Sequence, residues 1–241
     1  ARKNGFNHST GSYVTFVDAD DSIDSDMVQS MVNCMSDDID IVCFGADKNC
    51  IITPSQYIKY VFGYRFLEVW GKLYKRKTFN DNVFDIPRYF NIGEDILMQL
   101  KLFRNVKHSI LLNSLKKYNY NTNNPNSVQI NSVKSYEYEK NFMIFTQKIY
   151  NSYSDEFKLE IAEAYFRWRI SYFSGLIGLK YPVEYDLDIF SSINKDSDNF
   201  ELSRHDRIVL GANANSLYRF YLIIEKQSRL LARRVLNHFR K

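Results

Sequence analysis

The run Tyr13-Val14-Thr15-Phe16-Val17 ends on Asp18-Ala19-Asp20-Asp21, and this junction constrains the fold more than any other feature. β-branched and aromatic residues favour a strand, so a strand delivers a loop of three carboxylates. Met27, Val28, Met31, Val32 and Met35 recur at helical spacing, and residues 40–44 predict a second strand, closed by Gly45. A strand, a helix and a strand therefore bracket the acids, the order of an α/β sheet. Ligand sites of such sheets lie just past strand ends, where the acids stand.

Further along, residues 51–53 predict a short strand and 54–62 a helix opened by Pro54. Residues 69–74 predict a strand, 94–103 a helix with Ile96, Leu97, Leu100 and Phe103 on one side, and 106–112 and 115–120 two extended runs. A polar, Asn-rich loop at 119–131 holds Pro125, and beyond it the texture changes. Segments 133–152, 155–178 and 215–239 have helical periodicity with few breakers. The expected organisation is an α/β part over 1–130 and a mainly helical appendage over 131–241.

The chain has 241 residues, 45% hydrophobic and 16% aromatic, enough for a sizeable core and too apolar for a disordered chain. A net charge of +4 implies no nucleic-acid partner. Its distribution is uneven: residues 18–47 hold nine Asp and no Lys or Arg, whereas 219–241 hold seven Lys and Arg against Glu225. Cys34, Cys43 and Cys50 lack a CxxC spacing, so neither a disulfide framework nor a zinc site is expected, and a reducing, cytoplasmic setting fits. No apolar run approaches the roughly 20 residues of a membrane span.

In an extended segment alternate residues point the same way, so Asp18 and Asp20 are expected to converge while Asp21 turns aside. Two hard oxygen donors leave most of an octahedral shell open, which suits Mg²⁺ or Mn²⁺ shared with substrate phosphates. A calcium loop starting at Asp18 is excluded, because Ile23 and Gln29 replace the Gly and Glu it needs. Two alternatives stay open: a solvated acidic turn with Asp20 or Asp21 capping a helix, and a haloacid-dehalogenase-like phosphohydrolase with Asp18 as nucleophile. The second lacks its later Gly-Asp-x-x-x-Asp, since Gly93-Glu94-Asp95 is followed by Gln99. His8, His108, His205 and His238 lie singly; His108 or His205 could supply a third metal ligand.

Arg2, Asn4 and Gly5, then Gly11-Ser12-Tyr13-Val14-Thr15-Phe16-Val17-Asp18-Ala19-Asp20-Asp21, resemble the A-R-N-x-G and G-x-Y…D-x-D-D segments of family 2 glycosyltransferases. Val69-Trp70-Gly71-Lys72-Leu73-Tyr74-Lys75-Arg76 resembles that family's W-x-K-L-Y-x-R, and Ile92-Gly93-Glu94-Asp95 its G-E-D. Tyr118-Asn119-Tyr120 with Asn126-Ser127 is similar to its Y-x-Y and N-S tail. Four elements in order make a specific match.

The resemblance implies a GT-A fold, a nucleotide-sugar donor, a divalent metal, inversion at the anomeric carbon and a role in bacterial-type surface polysaccharide assembly. It assigns Asp18 and Asp20 to donor and metal, with Asp20 the direct ligand. Arg2, with Asn4 beside it, falls to the donor diphosphate, and Trp70 and Lys72 to the acceptor. Asp95 becomes the general base ahead of its neighbour Glu94. Family members place the first strands of the nucleotide-binding half before A-R-N-x-G, so the resemblance also implies a sheet incomplete at its N-terminus and weak donor binding. A non-catalytic, partner-binding module is the remaining alternative.

The tail permits two readings. Leu217, Tyr221, Ile224, Leu231, Val235 and Phe239 fall near helical spacing with Arg219, Lys226, Arg229, Arg233 and Arg234 largely between them. Such a basic amphipathic helix over 215–241 can lie on an anionic membrane, or pack its apolar face on the appendage and leave its basic face in water.

Overall fold

Every residue of the segment Ile39–Phe44 is buried, and an α/β unit is built around it. In this computed structural model residues 1–121, 135–178, 187–212 and 215–239 are described. They fall into two compact units, Ala1–Lys134 with Ile144–Ile161, and Ser135–Met143 with Ala162–Lys241.

The first unit runs α1 (Arg2–His8), β1 (Tyr13–Thr15), β2 (Ser22–Ile23), α2 (Met27–Val32), β3 (Ile39–Phe44), β4 (Cys50–Ile52), α3 (Pro54–Phe62), β5 (Lys72–Lys75), α4 (Glu94–Leu102), β6 (Ser109–Asn113) and β7 (Tyr118–Asn119). Five strands form a mixed sheet in the order β1-β5-β3-β6-β4, and β2 pairs with β7 in a small second sheet. Only the β3–β6 pair is parallel. Strand alternation divides the sheet's side chains. Val42, Phe44 and Leu73 pack under Met27 and Met31 of α2. Ile41, Cys43, Lys72 and Tyr74 belong to the other face, where burial pushes the Cys43 thiol up to about 11.

Thr53 caps α3 in a reciprocal capping box with Gln56, and Pro54 follows at the first helical position. Four strands are shorter than the sequence predicts: β6 starts at Ser109 rather than 106, β7 keeps only Tyr118–Asn119 of 115–120, and β5 and β1 are also cut back. Gly71, at φ +67°, turns the chain before β5 begins at Lys72, so Val69 and Trp70 lie in a bend. Thr15 pairs with Leu73, and beyond it β1 finds no partner, which leaves Phe16 and Val17 outside the strand. The helix α1 has no forecast in the periodicity. It is held by tertiary contact: the Phe6 ring packs 5.1 Å from Phe79 and 5.2 Å from Phe84, with the Arg76 guanidinium 4.6 Å over it.

Beyond the α/β region lie α5 (Tyr136–Asn151), α6 (Asp155–Gly178), α7 (Leu187–Asp196), α8 (Arg204–Gly211) and α9 (Ser216–Phe239). The expected helices over 133–152, 155–178 and 215–239 match α5, α6 and α9, whereas α7 and α8 were not anticipated. α6 is apolar on several sides: Phe166, Ile170, Phe173 and Ile177 are buried along one stripe, and Tyr165, Trp168 and Leu176 are buried beside it. Asn126, Ser127 and Pro125 lie outside the described residues, as do the side chains of Arg233, Arg234, Val235, His238 and Phe239.

Candidate active site

Gly93 precedes α4 with φ +82°, a left-handed cap that glycine adopts without penalty. Glu94 and Asp95 therefore occupy the first helical turn, where the dipole favours acids. Asp95 is gripped from two directions. Arg2 Nη1 donates to its Oδ1 at 2.5 Å, and the Val69 N–H donates to its Oδ2 at 3.3 Å. The same guanidinium reaches Glu94 Oε1 and Asp18 Oδ1, each at 3.3 Å. One cation thus gathers three carboxylates from two distant segments. Burial pushes the Asp95 carboxyl up to about 6 against the pull of Arg2, and the neighbouring Glu94 charge acts in the same direction as burial. Burial would lower the Arg2 pKa, but Asp95, Asp18 and Glu94 together raise it.

Residues 18–21 form a turn rather than the expected extended segment, because the Asp21 N–H donates to the Asp18 carbonyl at 3.1 Å. Asp18 is half-buried against Arg2, while Asp20 is exposed at the tip. Asp21 points to Tyr118, whose hydroxyl donates to Asp21 Oδ2 at 2.6 Å and accepts the Asp18 N–H at 3.1 Å. The Asn121 N–H adds a bond to Asp21 Oδ1 at 2.7 Å. Pairing of β7 with β2, with Ile23 opposite Tyr118, sets this phenol over the turn. The sequence predicts that Asp21 turns aside or caps a helix and places Tyr118 only in the Y-x-Y element; the bond between them is a tertiary relationship it does not contain.

Trp70 lies flat against Tyr118, with ring centroids 4.3 Å apart, and near Tyr120 at 5.7 Å, both at an interplanar angle of 14°. Lys72 does not join this surface. It is 3% exposed, its ammonium donates to the Glu68 carbonyl, and burial lowers its pKa. It braces the 68–70 bend from beneath. Asn4 is exposed on α1, two positions from Arg2 and so on a different side of the helix; it is not part of the cluster.

The bend has a second brace that sequence reading missed. The buried Gln99 side chain donates to the carbonyls of Phe66 at 2.8 Å and Leu67 at 2.6 Å, and accepts from Tyr57 Oη at 2.7 Å. Tyr64 and Phe66 sit at φ +60° and +55°, a costly conformation for such residues that surrounding structure must impose.

His108 is engaged with Asp40 at 3.1 Å, and His205 lies 3.6 Å from Glu225 in the second unit. Neither completes a ligand set with Asp18, and no group of three or more His, Cys, Asp or Glu positioned to hold a metal exists among the described residues. What fits a metal is the chemistry of Asp18 and Asp20: two hard donors suit a divalent ion sharing a substrate's phosphates, not one caged by protein. A cleft of about 520 Å³ lined by Lys101, Arg104 and Lys107 opens elsewhere in this unit and includes none of the cluster.

Residues 1–106 match the family described as Glycosyl transferase family 2. The chain is 28% identical over 138 residues to glycosyltransferase GlyA of Streptococcus pneumoniae serotype 4, a match covering 47% of this chain and 19% of that relative. It spans about a fifth of that relative's length. Among solved structures it is similar to the 1–349 segment of S. aureus TarS in complex with UDP-GlcNAc, with TM-score 0.66, 17% identity, and coverage of 93% of this chain and 68% of that one. A second structure of that segment gives TM-score 0.63 at 15% identity, covering 93% and 67%. At these identities the likeness establishes the fold: a central α/β sheet followed by a helical part.

Proposed function

We propose that this chain, whose residues 1–106 match the family described as Glycosyl transferase family 2, moves a sugar from a nucleoside-diphosphate donor to a hydroxyl of a saccharide or lipid-linked acceptor, with inversion, in surface polysaccharide assembly. The match over residues 1–106 supports this reading over the phosphohydrolase alternative for Asp18. The observation that carries the reading is Asp95, a half-buried carboxyl pushed up to about 6 and fixed by Arg2 and the Val69 N–H. An acceptor hydroxyl must lose its proton as the glycosidic bond forms, and a base works best with a pKa near the working pH. Asp95 takes that proton, with Glu94 beside it as the alternative base.

Charge builds on the leaving diphosphate, and preorganised cations stabilise it. Arg2, oriented toward Asp18, supplies one such charge, and Asn4 on the same helix would have to approach the donor from its own side. Asp20 and Asp18 would hold Mg²⁺ or Mn²⁺, which supplies further electrostatic stabilisation of the diphosphate. Trp70, stacked on Tyr118, offers an apolar face to an acceptor ring, and Lys72 contributes by supporting the bend that carries Trp70.

The test is hydrolysis and transfer from a panel of UDP- and GDP-sugars with Mn²⁺, comparing wild type with Asp95→Asn and Asp20→Ala. Loss of turnover by two or more orders of magnitude in Asp95→Asn is expected. Turnover insensitive to both substitutions overturns the site. Nucleotide binding without any turnover in wild type favours the partner-binding module instead.

A further inference from the structure

α9 carries much of its apolar surface outward. Leu217, Phe220, Tyr221, Ile224 and Leu231 are 73%, 62%, 50%, 49% and 63% exposed. Their spacings of three, four and seven place them on one stripe of the helix, about 21 Å long at 1.5 Å per residue. The contacts that fix α9 to its own unit use other positions. Leu222 is 1% exposed. Lys226 lies so close to α6 that a Cβ on Gly178 would stand 2.6 Å from its own Cβ, and Tyr218 covers Gly211 at a similar distance of 2.7 Å. This reverses the reading in which the apolar face packs on the appendage and the basic face meets water. Leu217, Tyr221, Ile224 and Leu231 are the residues left to solvent, while the stem of Lys226 is packed.

An exposed apolar patch on a surface helix, here Leu217, Phe220, Tyr221 and Ile224 with Leu231 beyond a polar turn at Gln227-Ser228, marks an interaction site, and the net charge of the segment favours an anionic partner. Residues 217–241 contain seven Lys and Arg against one acid, Glu225. A second copy docked on this stripe would bring two net-basic segments together, whereas an anionic headgroup layer attracts the cations free to reach it, such as Arg229 with its 71% exposed side chain, at about 1 kcal/mol each near the surface; Lys226, packed on the protein's own side, is not one of them. No described helix is long and apolar enough to cross a membrane, so the helix would lie in the interface plane. We propose that α9 is an interfacial membrane-binding helix that seats the Leu217–Leu231 stripe at the acyl boundary of an anionic phospholipid bilayer. This is independent of the reaction catalysed.

Flotation of the whole chain with phosphatidylglycerol-containing vesicles, against phosphatidylcholine vesicles, tests it. Wild type should float with the anionic vesicles, and a Leu217→Gln/Phe220→Gln/Ile224→Gln variant should bind at least about tenfold more weakly with unchanged circular dichroism. In a separate variant, Phe220→Trp should show a blue-shifted emission on adding anionic vesicles. Absence of flotation, equal binding by wild type and the triple variant, or no emission shift each overturns the proposal. So does a wild-type dimer that the triple variant converts to monomer, because the stripe is then a protein interface.

Discussion

Arg2 Nη1 and Asp95 Oδ1 lie 2.5 Å apart although 93 positions separate them. The contact joins two distant elements of the signature: α1, anchored by Phe6 among Phe79 and Phe84, and the first turn of α4 behind Gly93. Because Arg2 also reaches Asp18, the proposed base and the acid proposed for the donor side share one cation, and a change at any of the three is felt by the others.

The Asp95 carboxyl holds its proton more tightly in the folded protein, at about 6, than in the unfolded chain near 3.8. Between those values the folded state is the more protonated, so stability falls as pH rises through about 4 to 6. The stability of Asp95→Asn relative to wild type should therefore increase across that window, on the order of 2–3 kcal/mol. Urea unfolding at pH 4 and pH 7 measures the difference. In the same range kcat/KM should rise with pH, with an acid limb near 6; a flat profile there removes Asp95 as base.

Arg2→Gln takes away the charge that opposes burial at Asp95. The acid limb of the pH–rate profile should then move to higher pH by roughly one unit or more. A profile that keeps its midpoint while activity drops would restrict Arg2 to donor binding.

Tyr118→Phe keeps the ring that stacks on Trp70 and deletes the hydroxyl between the Asp18 N–H and Asp21. A cost of about 1–2 kcal/mol in urea unfolding is expected, together with weaker UDP binding by calorimetry, since the Asp18–Asp21 turn loses its template. Stability lost with UDP affinity unchanged would make Tyr118 purely structural.

Gln99→Met preserves volume but strips both donors from the Phe66 and Leu67 carbonyls and the acceptor from Tyr57 Oη. Roughly 2–4 kcal/mol should be lost. Amide hydrogen exchange should accelerate over residues 64–70, where Tyr64 and Phe66 are held at positive φ; protection equal to wild type would show that other contacts hold the bend.

Local pattern was sufficient for much of this protein. The capped helix α3, the strand β3 and the helices α5, α6 and α9 follow from short-range periodicity and capping chemistry, and the family signature singled out Asp18, Asp20, Asp95, Trp70 and Arg2. What periodicity could not supply are the relationships that depend on residues far apart. α1 forms where Phe6 finds an aromatic pocket. Asp21 turns to Tyr118 because β7 pairs with β2. Lys72, expected at the acceptor, is buried because alternation along β5 places it opposite Leu73, under α3. Which face of α9 is buried was likewise undecidable from a helical wheel, since both stripes satisfy the same spacing. Close approach at Gly178 and Gly211 decides it, leaving Leu217, Phe220, Tyr221 and Ile224 in water. Spacing fixes which side chains share a face, and only tertiary packing fixes what that face meets.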